Sequence, residues 1–185
     1  MGAEARIKQL GIELPGVPAP IANYVRSARV GNLLFLAGHG PSKDGKHLYI
    51  GKVGRELSIE EGQQAARLVG LNLLASTREA LGSLDRVKRV VKVLGMVNSA
   101  DGFGDQPKVI NGFSDLMVDV FGEAGRHARS AVGMAALPMG ISVEIEMIVE
   151  VADGATTGAR KAVAARKPAA ARKPASRGRP AARRR

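Results

Sequence analysis

The order of strand-like and helix-like patterns limits this chain to few folds. A short apolar run over 32–37 is bounded by glycines, which predicts a buried strand. Ser58 opens a capping box with Glu61, and apolar residues at helical spacing continue to Gly82, which predicts a helix. Later patterns predict a strand over 87–97, a helix over 106–121, and strands over 130–136 and 142–151. Two helices on one face of short strands indicate a two-layer α+β domain.

The last part of the chain lacks the residues that a folded core needs. Eleven basic residues and no acidic residue follow Asp153. Pro168, Pro174 and Pro180 recur every six residues, and proline interrupts helices. Val163 is the single large apolar side chain in this stretch, so little can offset the entropy of ordering. We therefore predict one folded domain over 1–153 and a disordered tail rich in Lys, Arg, Ala and Pro over 154–185.

The net positive charge of the chain comes entirely from this tail. The chain has 28 basic and 17 acidic residues, a formal net charge of +11. Because eleven of the basic residues lie in the tail, the rest of the chain has 17 of each sign. Cationic arms bind phosphate backbones without reading bases. Residues 155–185 are thus predicted either to contact nucleic acid non-specifically or to serve as a solubilising extension.

Several classes of function find no support in the sequence. The chain has no cysteine, which excludes disulfides, thiolate nucleophiles and thiolate metal sites. No run approaches the roughly 18 apolar residues of a membrane span, and the first residues do not resemble a secretory signal, so we expect a cytoplasmic protein. His39, His47 and His127 lack ligand-like spacing and are expected on the surface or in loops, with no metal. No phosphate loop or G-x-S-x-G motif is present.

Two groups of charged residues could carry chemistry. Arg126 and Arg129 precede a strand of small apolar residues, where a permanently charged guanidinium usually needs a carboxylate or phosphate partner. Glu144 and Glu146 alternate with apolar residues in the last strand, so both face the side opposite the core. From spacing alone, this face is either a solvated surface with an ion pair or part of a site.

The segment 128–151 resembles the signature that ends RidA/YjgF proteins, a family of imine deaminases also described as endoribonuclease L-PSP-like. It contains alanine-arginine-serine, a short strand, leucine-proline, and then V-E-I-E on the last strand. A proline and alanine stretch before Tyr24, and Gly31-Asn32 before the first apolar run, also fit this family. The resemblance covers residues 14–151 and leaves out the tail.

This resemblance implies a chorismate-mutase-like fold, with a mixed sheet covered on one face by two helices. It also implies a homotrimer with sites between subunits that hydrolyse 2-imino or 2-enamino acids to 2-keto acids and ammonia. Arg129 would hold the substrate carboxylate, and Glu144 would position the attacking water. No cofactor is expected, because a protonated imine is already electrophilic. The alternatives are a non-catalytic ligand-binding trimer and a nucleic-acid-associated protein acting through the tail.

The resemblance also assigns further site residues near Arg129 and Glu144. Tyr24 would line the cleft, Asn111 would be a nearby polar residue, and Gly38 would follow the first core strand. Many family members have serine-glycine-glutamine where this chain has alanine, Gly38 and His39. His39 could therefore line the site as an acid-base group near neutral pH, or it could cap a turn.

Overall fold

A computed structural model describes residues 1–17 and 23–152 of the chain. The predicted disordered tail, residues 154–185, lies outside the described residues. The elements in chain order are α1 Ala3–Gln9, β1 Ser27–Val30, β2 Leu33–His39, β3 Ser42–Lys43, β4 Lys46–His47, α2 Ile59–Leu81, β5 Val87–Asn98, α3 Gln106–Phe121, β6 Ala128–Met134 and β7 Val143–Val151. Among the described residues, no helix is both long and apolar enough to cross a bilayer.

Five strands form one mixed sheet in the order β1-β2-β7-β5-β6. The β5–β6 pair is parallel and the other pairs are antiparallel. The helices α2 and α3 pack against each other and on one face of this sheet. The two-layer α+β prediction, with a mixed sheet covered on one face by two helices, is confirmed.

The alternation in β7 decides which face of the sheet is covered. Val143, Ile145 and Met147 are buried against the helices. Glu144 and Glu146 lie between them and point to the uncovered face, as the period of two predicts. The carboxylates of β7 are thus separated from the core by the sheet itself.

The helix α2 begins and ends as the sequence predicts. The Glu61 backbone N–H donates to Ser58 Oγ at 3.1 Å, and Glu61 Oε2 accepts from the Ser58 backbone N–H at 2.8 Å. This capping box satisfies N–H groups that have no partner within the helix. Gly82 ends the helix with a φ of 80°, a left-handed conformation that glycine adopts without steric cost.

The strand β1 was not predicted from the sequence. Its four residues include Arg29 and only one large apolar side chain, Val30, which is exposed. The strand lies at the edge of the sheet and pairs with β2 alone, from Ser27 opposite Leu36 to Val30 opposite Leu33. Its order comes from this pairing rather than from an apolar pattern of its own, so its sequence carries little signal.

Candidate active site

Arg129 lies on β6, at the edge of the sheet next to α3. Its register partner on β5 is Val93, a fully buried core residue, so the Arg129 side chain lies on the helix-covered face. The guanidinium Nη1 donates to Asn111 Oδ1 at 3.0 Å and to Ser114 Oγ at 2.9 Å. Nη2 donates to the Pro107 carbonyl at 3.3 Å. The first turns of α3 therefore hold one side of the guanidinium.

These partners leave the charge of Arg129 unneutralised. All three acceptors are uncharged, and none of the ion pairs among residues 1–17 and 23–152 includes Arg129. Arg126, by contrast, donates through Nε to both carboxylate oxygens of Glu123 at 3.0 Å. Arg129 keeps its Nε–H and one Nη2–H without a partner in the described structure. Two such donors can form the fork that a carboxylate accepts in a bidentate manner.

Glu144 lies near the start of β7, on the uncovered face. Its Oε1 rests directly against Gly38, where a β-carbon would overlap with the carboxylate. The side chain is half-buried, and this burial raises the pKa of the Glu144 carboxyl, with a smaller contribution from the nearby Glu146 charge. A carboxylate with a raised pKa is better suited to accept a proton near neutral pH than an ordinary glutamate.

A cavity of about 620 Å³ opens beside Glu144. It lies at the end of β2, between α2 and the β3–β4 hairpin. Tyr24, Gly38, His39 and Glu144 all line it, so the structure brings together four of the six residues that the sequence singled out. The volume lies within the range of small-molecule sites.

His39 lines this cavity but directs its ring toward α2. Its Nδ1 lies 2.7 Å from the Ala37 carbonyl, and its Nε2 lies 2.8 Å from Ser76 Oγ. Because a carbonyl only accepts, Nδ1 carries the proton and Nε2 accepts from the serine hydroxyl. Burial is the main cause that lowers the pKa of His39. The imidazole is therefore neutral near pH 7, with both nitrogens engaged.

Arg129 and Glu144 do not meet within one chain. The strand β5 separates them, with Val93 opposite Arg129 and Met96 opposite Glu144. Two strand spacings across and three residues along the sheet place their Cα atoms on the order of 14 Å apart. The two side chains also lie on opposite faces. The described residues thus form two separate candidate half-sites, one with Arg129 and Asn111, the other with Glu144 in the cavity.

Of the residues that support Arg129, the sequence analysis named Asn111 but not Ser114. Ser114 lies one helical turn after Asn111 on α3, and this spacing was a possible signal. His127 was expected on the surface or in a loop. It is half-buried, with its ring edge-on to Phe113 at a centroid distance of 5.9 Å, and its Nε2 lies 3.1 Å from Ser114 Oγ. The predicted loop position is confirmed, because His127 lies outside the helices and strands, directly before β6.

The described part of the chain has no cluster of candidate metal ligands. Within residues 1–17 and 23–152, no three side chains of His, Asp or Glu are grouped so that they could hold a metal ion. The histidines are dispersed, and each has a serine hydroxyl as a neighbour.

The fold places this protein in the class of two-layer α+β domains with a chorismate-mutase-like sheet. Residues 4–151 match the family described as "YjgF/chorismate mutase-like, putative endoribonuclease", and the chain belongs to this family. Protein TCP17 of Trypanosoma cruzi is 47% identical over 147 residues, which cover 79% of this chain and 92% of the relative. The 2-iminobutanoate/2-iminopropanoate deaminase of Dermatophagoides farinae is 32% identical over 139 residues, covering 75% and 93%.

A solved structure confirms the fold. The crystal structure of protein Atu1372 from Agrobacterium tumefaciens, a protein of unknown function, is 46% identical and superposes with a TM-score of 0.74. The match covers 80% of this chain and 91% of that chain. The RidA/YjgF resemblance and the fold that it implied are therefore confirmed.

Proposed function

We propose that this protein is a deaminase that hydrolyses 2-imino and 2-enamino acids to 2-keto acids and ammonia. The observation that carries the proposal is the guanidinium of Arg129, which no carboxylate of the described chain neutralises and which keeps two donors free. A guanidinium held by neutral acceptors is suited to bind the planar carboxylate of a small substrate. The deaminase name of one relative supports the same chemistry.

The proposed reaction needs only positioning and one proton carrier. Arg129 holds the substrate carboxylate, which places the imine carbon close to a water bound by Glu144. The water oxygen attacks that carbon while Glu144 accepts one of its protons. The nitrogen of the resulting carbinolamine takes up this proton from Glu144 and becomes a leaving group. As the C–N bond breaks and ammonia departs, the new hydroxyl group gives its proton back to the Glu144 carboxylate, which leaves the carbonyl of the 2-keto acid. Glu144 then passes this proton to the released ammonia, so that it is ionised again. One water is consumed, and no electrons are transferred, so no cofactor takes part in the reaction as written.

The separation of the two half-sites supports a site between subunits. Arg129 and Glu144 face opposite sides of their own sheet, so a substrate that touches both needs a second copy of the chain. The uncovered face also exposes apolar side chains that a partner can bury, among them Phe35, Val132 and Met134. We propose a homotrimer in which Arg129 of one subunit completes the cavity of its neighbour.

The other residues of the two half-sites have supporting roles in this proposal. Asn111 fixes the guanidinium through its Oδ1 and does not need to touch the substrate. Tyr24, half-exposed at the mouth of the cavity, forms a wall against the substrate side chain. Gly38 leaves the space that the Glu144 carboxylate occupies. His39 borders the cavity with both ring nitrogens engaged, which favours a role in shaping the site over proton transfer.

A second activity is proposed for the tail alone. Residues 154–185 contain eleven basic and no acidic side chains, a charge density suited to phosphate backbones. The histidines of the described residues form no pair with which to cleave a phosphodiester. The residues therefore favour binding of nucleic acid by the tail over cleavage of nucleic acid.

Deletion of residues 155–185 tests this assignment. We expect retention on a mixed-sequence DNA or RNA column to disappear, because the deletion removes the Lys and Arg side chains that displace counterions from the phosphates. Imine hydrolysis should stay within about twofold of the intact chain, because the deletion leaves both half-sites in place. Nucleic-acid retention that survives the deletion would contradict the assignment and would locate the binding surface on the folded domain.

A further inference from the structure

A chain of three hydrogen bonds leads from a backbone carbonyl to the guanidinium of Arg129. His127 Nδ1 lies 2.6 Å from the Gly125 carbonyl. On the other side of the ring, His127 Nε2 lies 3.1 Å from Ser114 Oγ. The same hydroxyl oxygen accepts from Arg129 Nη1 at 2.9 Å. Ser114 thus stands between an imidazole and a guanidinium.

The direction of each hydrogen bond in this chain is determined. The Gly125 carbonyl can only accept, so Nδ1 of His127 carries the ring proton. In the neutral ring Nε2 then has only a lone pair, and Ser114 must donate its O–H to it. This donation turns the oxygen lone pairs of Ser114 toward the N–H of Arg129. If the acceptor His127 Nε2 were removed, the hydroxyl of Ser114 could rotate freely.

The surroundings keep His127 neutral. Burial is the main cause that lowers the pKa of its imidazole, although the hydrogen bond to Gly125 works in the opposite direction. The charges that act on the ring are those of Arg129 and Lys92, and both are cations that disfavour a second positive charge. The edge-on ring of Phe113 adds an apolar contact from α3. The acceptor at Nε2 is therefore retained near neutral pH.

We propose that His127 is a positioning residue that acts on Arg129 through the hydroxyl of Ser114. This inference rests on the proposed function, because it assigns a task to the guanidinium that binds the substrate carboxylate. A long arginine side chain has several rotatable bonds, and holding it before the substrate arrives reduces the entropy lost on binding. The Ser114–His127 pair holds the Nη1 side, so that the edge with Nε–H and the free Nη2–H remains turned to the ligand.

A double-mutant cycle with a product-like ligand tests the proposal. The binding of 2-oxobutyrate is measured by titration calorimetry on the intact assembly for His127→Leu, His127→Gln, Ser114→Ala and the Leu and Ala changes combined. We expect His127→Leu to weaken binding about tenfold, the effect of losing one hydrogen bond that orients a charged group. His127→Gln keeps an acceptor near the position of Nε2 and should recover most of the affinity.

The combined variant separates positioning from packing. If His127 acts through Ser114, His127→Leu should cause no further loss once Ser114 is alanine. Additive losses, or equal losses for the Leu and Gln variants, would overturn the proposal, because packing against Phe113 would then explain the effect. In the same titration, an Arg129→Lys protein that binds 2-oxobutyrate as tightly as the wild type would contradict the proposed function itself. The two failures are thus distinguishable.

A spectroscopic measurement on the unmodified protein does not depend on whether the variants fold. The imidazole ¹⁵N signals of His127 at neutral pH should show a protonated Nδ1 and an unprotonated Nε2. A proton on Nε2 would overturn the inference, because Ser114 could then not donate to the ring.

Discussion

Arg129→Lys should reduce kcat/KM for imine hydrolysis by about 100- to 1,000-fold, the loss expected when two charge-assisted hydrogen bonds are broken. Lysine retains the positive charge but cannot present two parallel N–H donors to a carboxylate. It also cannot satisfy Asn111, Ser114 and the Pro107 carbonyl together while holding a ligand. A coupled assay measures the effect by generating 2-iminopropionate with an amino-acid oxidase and following its disappearance.

Arg126→Lys is the matched control for this prediction. Arg126 lies three residues earlier, is exposed, and pairs with Glu123 of its own chain. Exposed ion pairs contribute little to stability, so this change should leave both activity and unfolding nearly unaffected. Equal rates for the wild type and Arg129→Lys, with the control also unchanged, would remove the basis of the deaminase proposal.

Glu144→Gln should reduce kcat by about 100- to 10,000-fold, the usual contribution of a general base. Glutamine has nearly the same shape and can remain against Gly38, so binding of 2-oxobutyrate should change little. This pattern, with kcat lost and affinity kept, differs from that of Arg129→Lys, which should lose both. Glu146→Gln is the matched control, because Glu146 lies on the same face two residues later and is exposed.

The pH dependence of turnover also tests the role of Glu144 as a base. Burial raises the pKa of Glu144 above the ordinary glutamate value of 4.5. Because the ionised form accepts the proton of water, turnover should rise with pH through this raised pKa and fall below it. The residual activity of Glu144→Gln should lack this acid limb. A wild type that binds 2-oxobutyrate but never turns over an imine would instead indicate a ligand-binding protein.

Most elements of the fold could be predicted from local patterns. The capping box at Ser58 and the left-handed Gly82 determine the ends of α2, and the alternation in β7 determines its faces. The edge strand β1 could not be predicted, because its order comes from pairing with β2. Local sequence reports helix caps and periodicity well, but it does not report pairing that depends on a distant strand.

The residues of the candidate site could be predicted one by one, but not their arrangement. The end block resembling RidA/YjgF proteins pointed to Arg129 and Glu144, but these residues are on different strands and no spacing relates their faces. Their separation follows from β5 lying between β6 and β7, which is a property of the sheet order. The supporting roles of Ser114 and His127 could not be predicted either, because α3 and the segment before β6 meet only in the folded domain.

The central claim, that Arg129 of one chain completes the Glu144 cavity of another, is tested most directly by subunit complementation. Arg129→Lys and Glu144→Gln chains are refolded together in equal amounts, and each is also refolded alone. In a mixed trimer, an interface that joins the intact Arg129 of one variant to the intact Glu144 of the other is a wild-type site. Random mixing should restore about a quarter of the wild-type sites, while each variant alone stays inactive. Mixed assemblies no more active than the separate variants would contradict the account, because both groups would then act from the same chain.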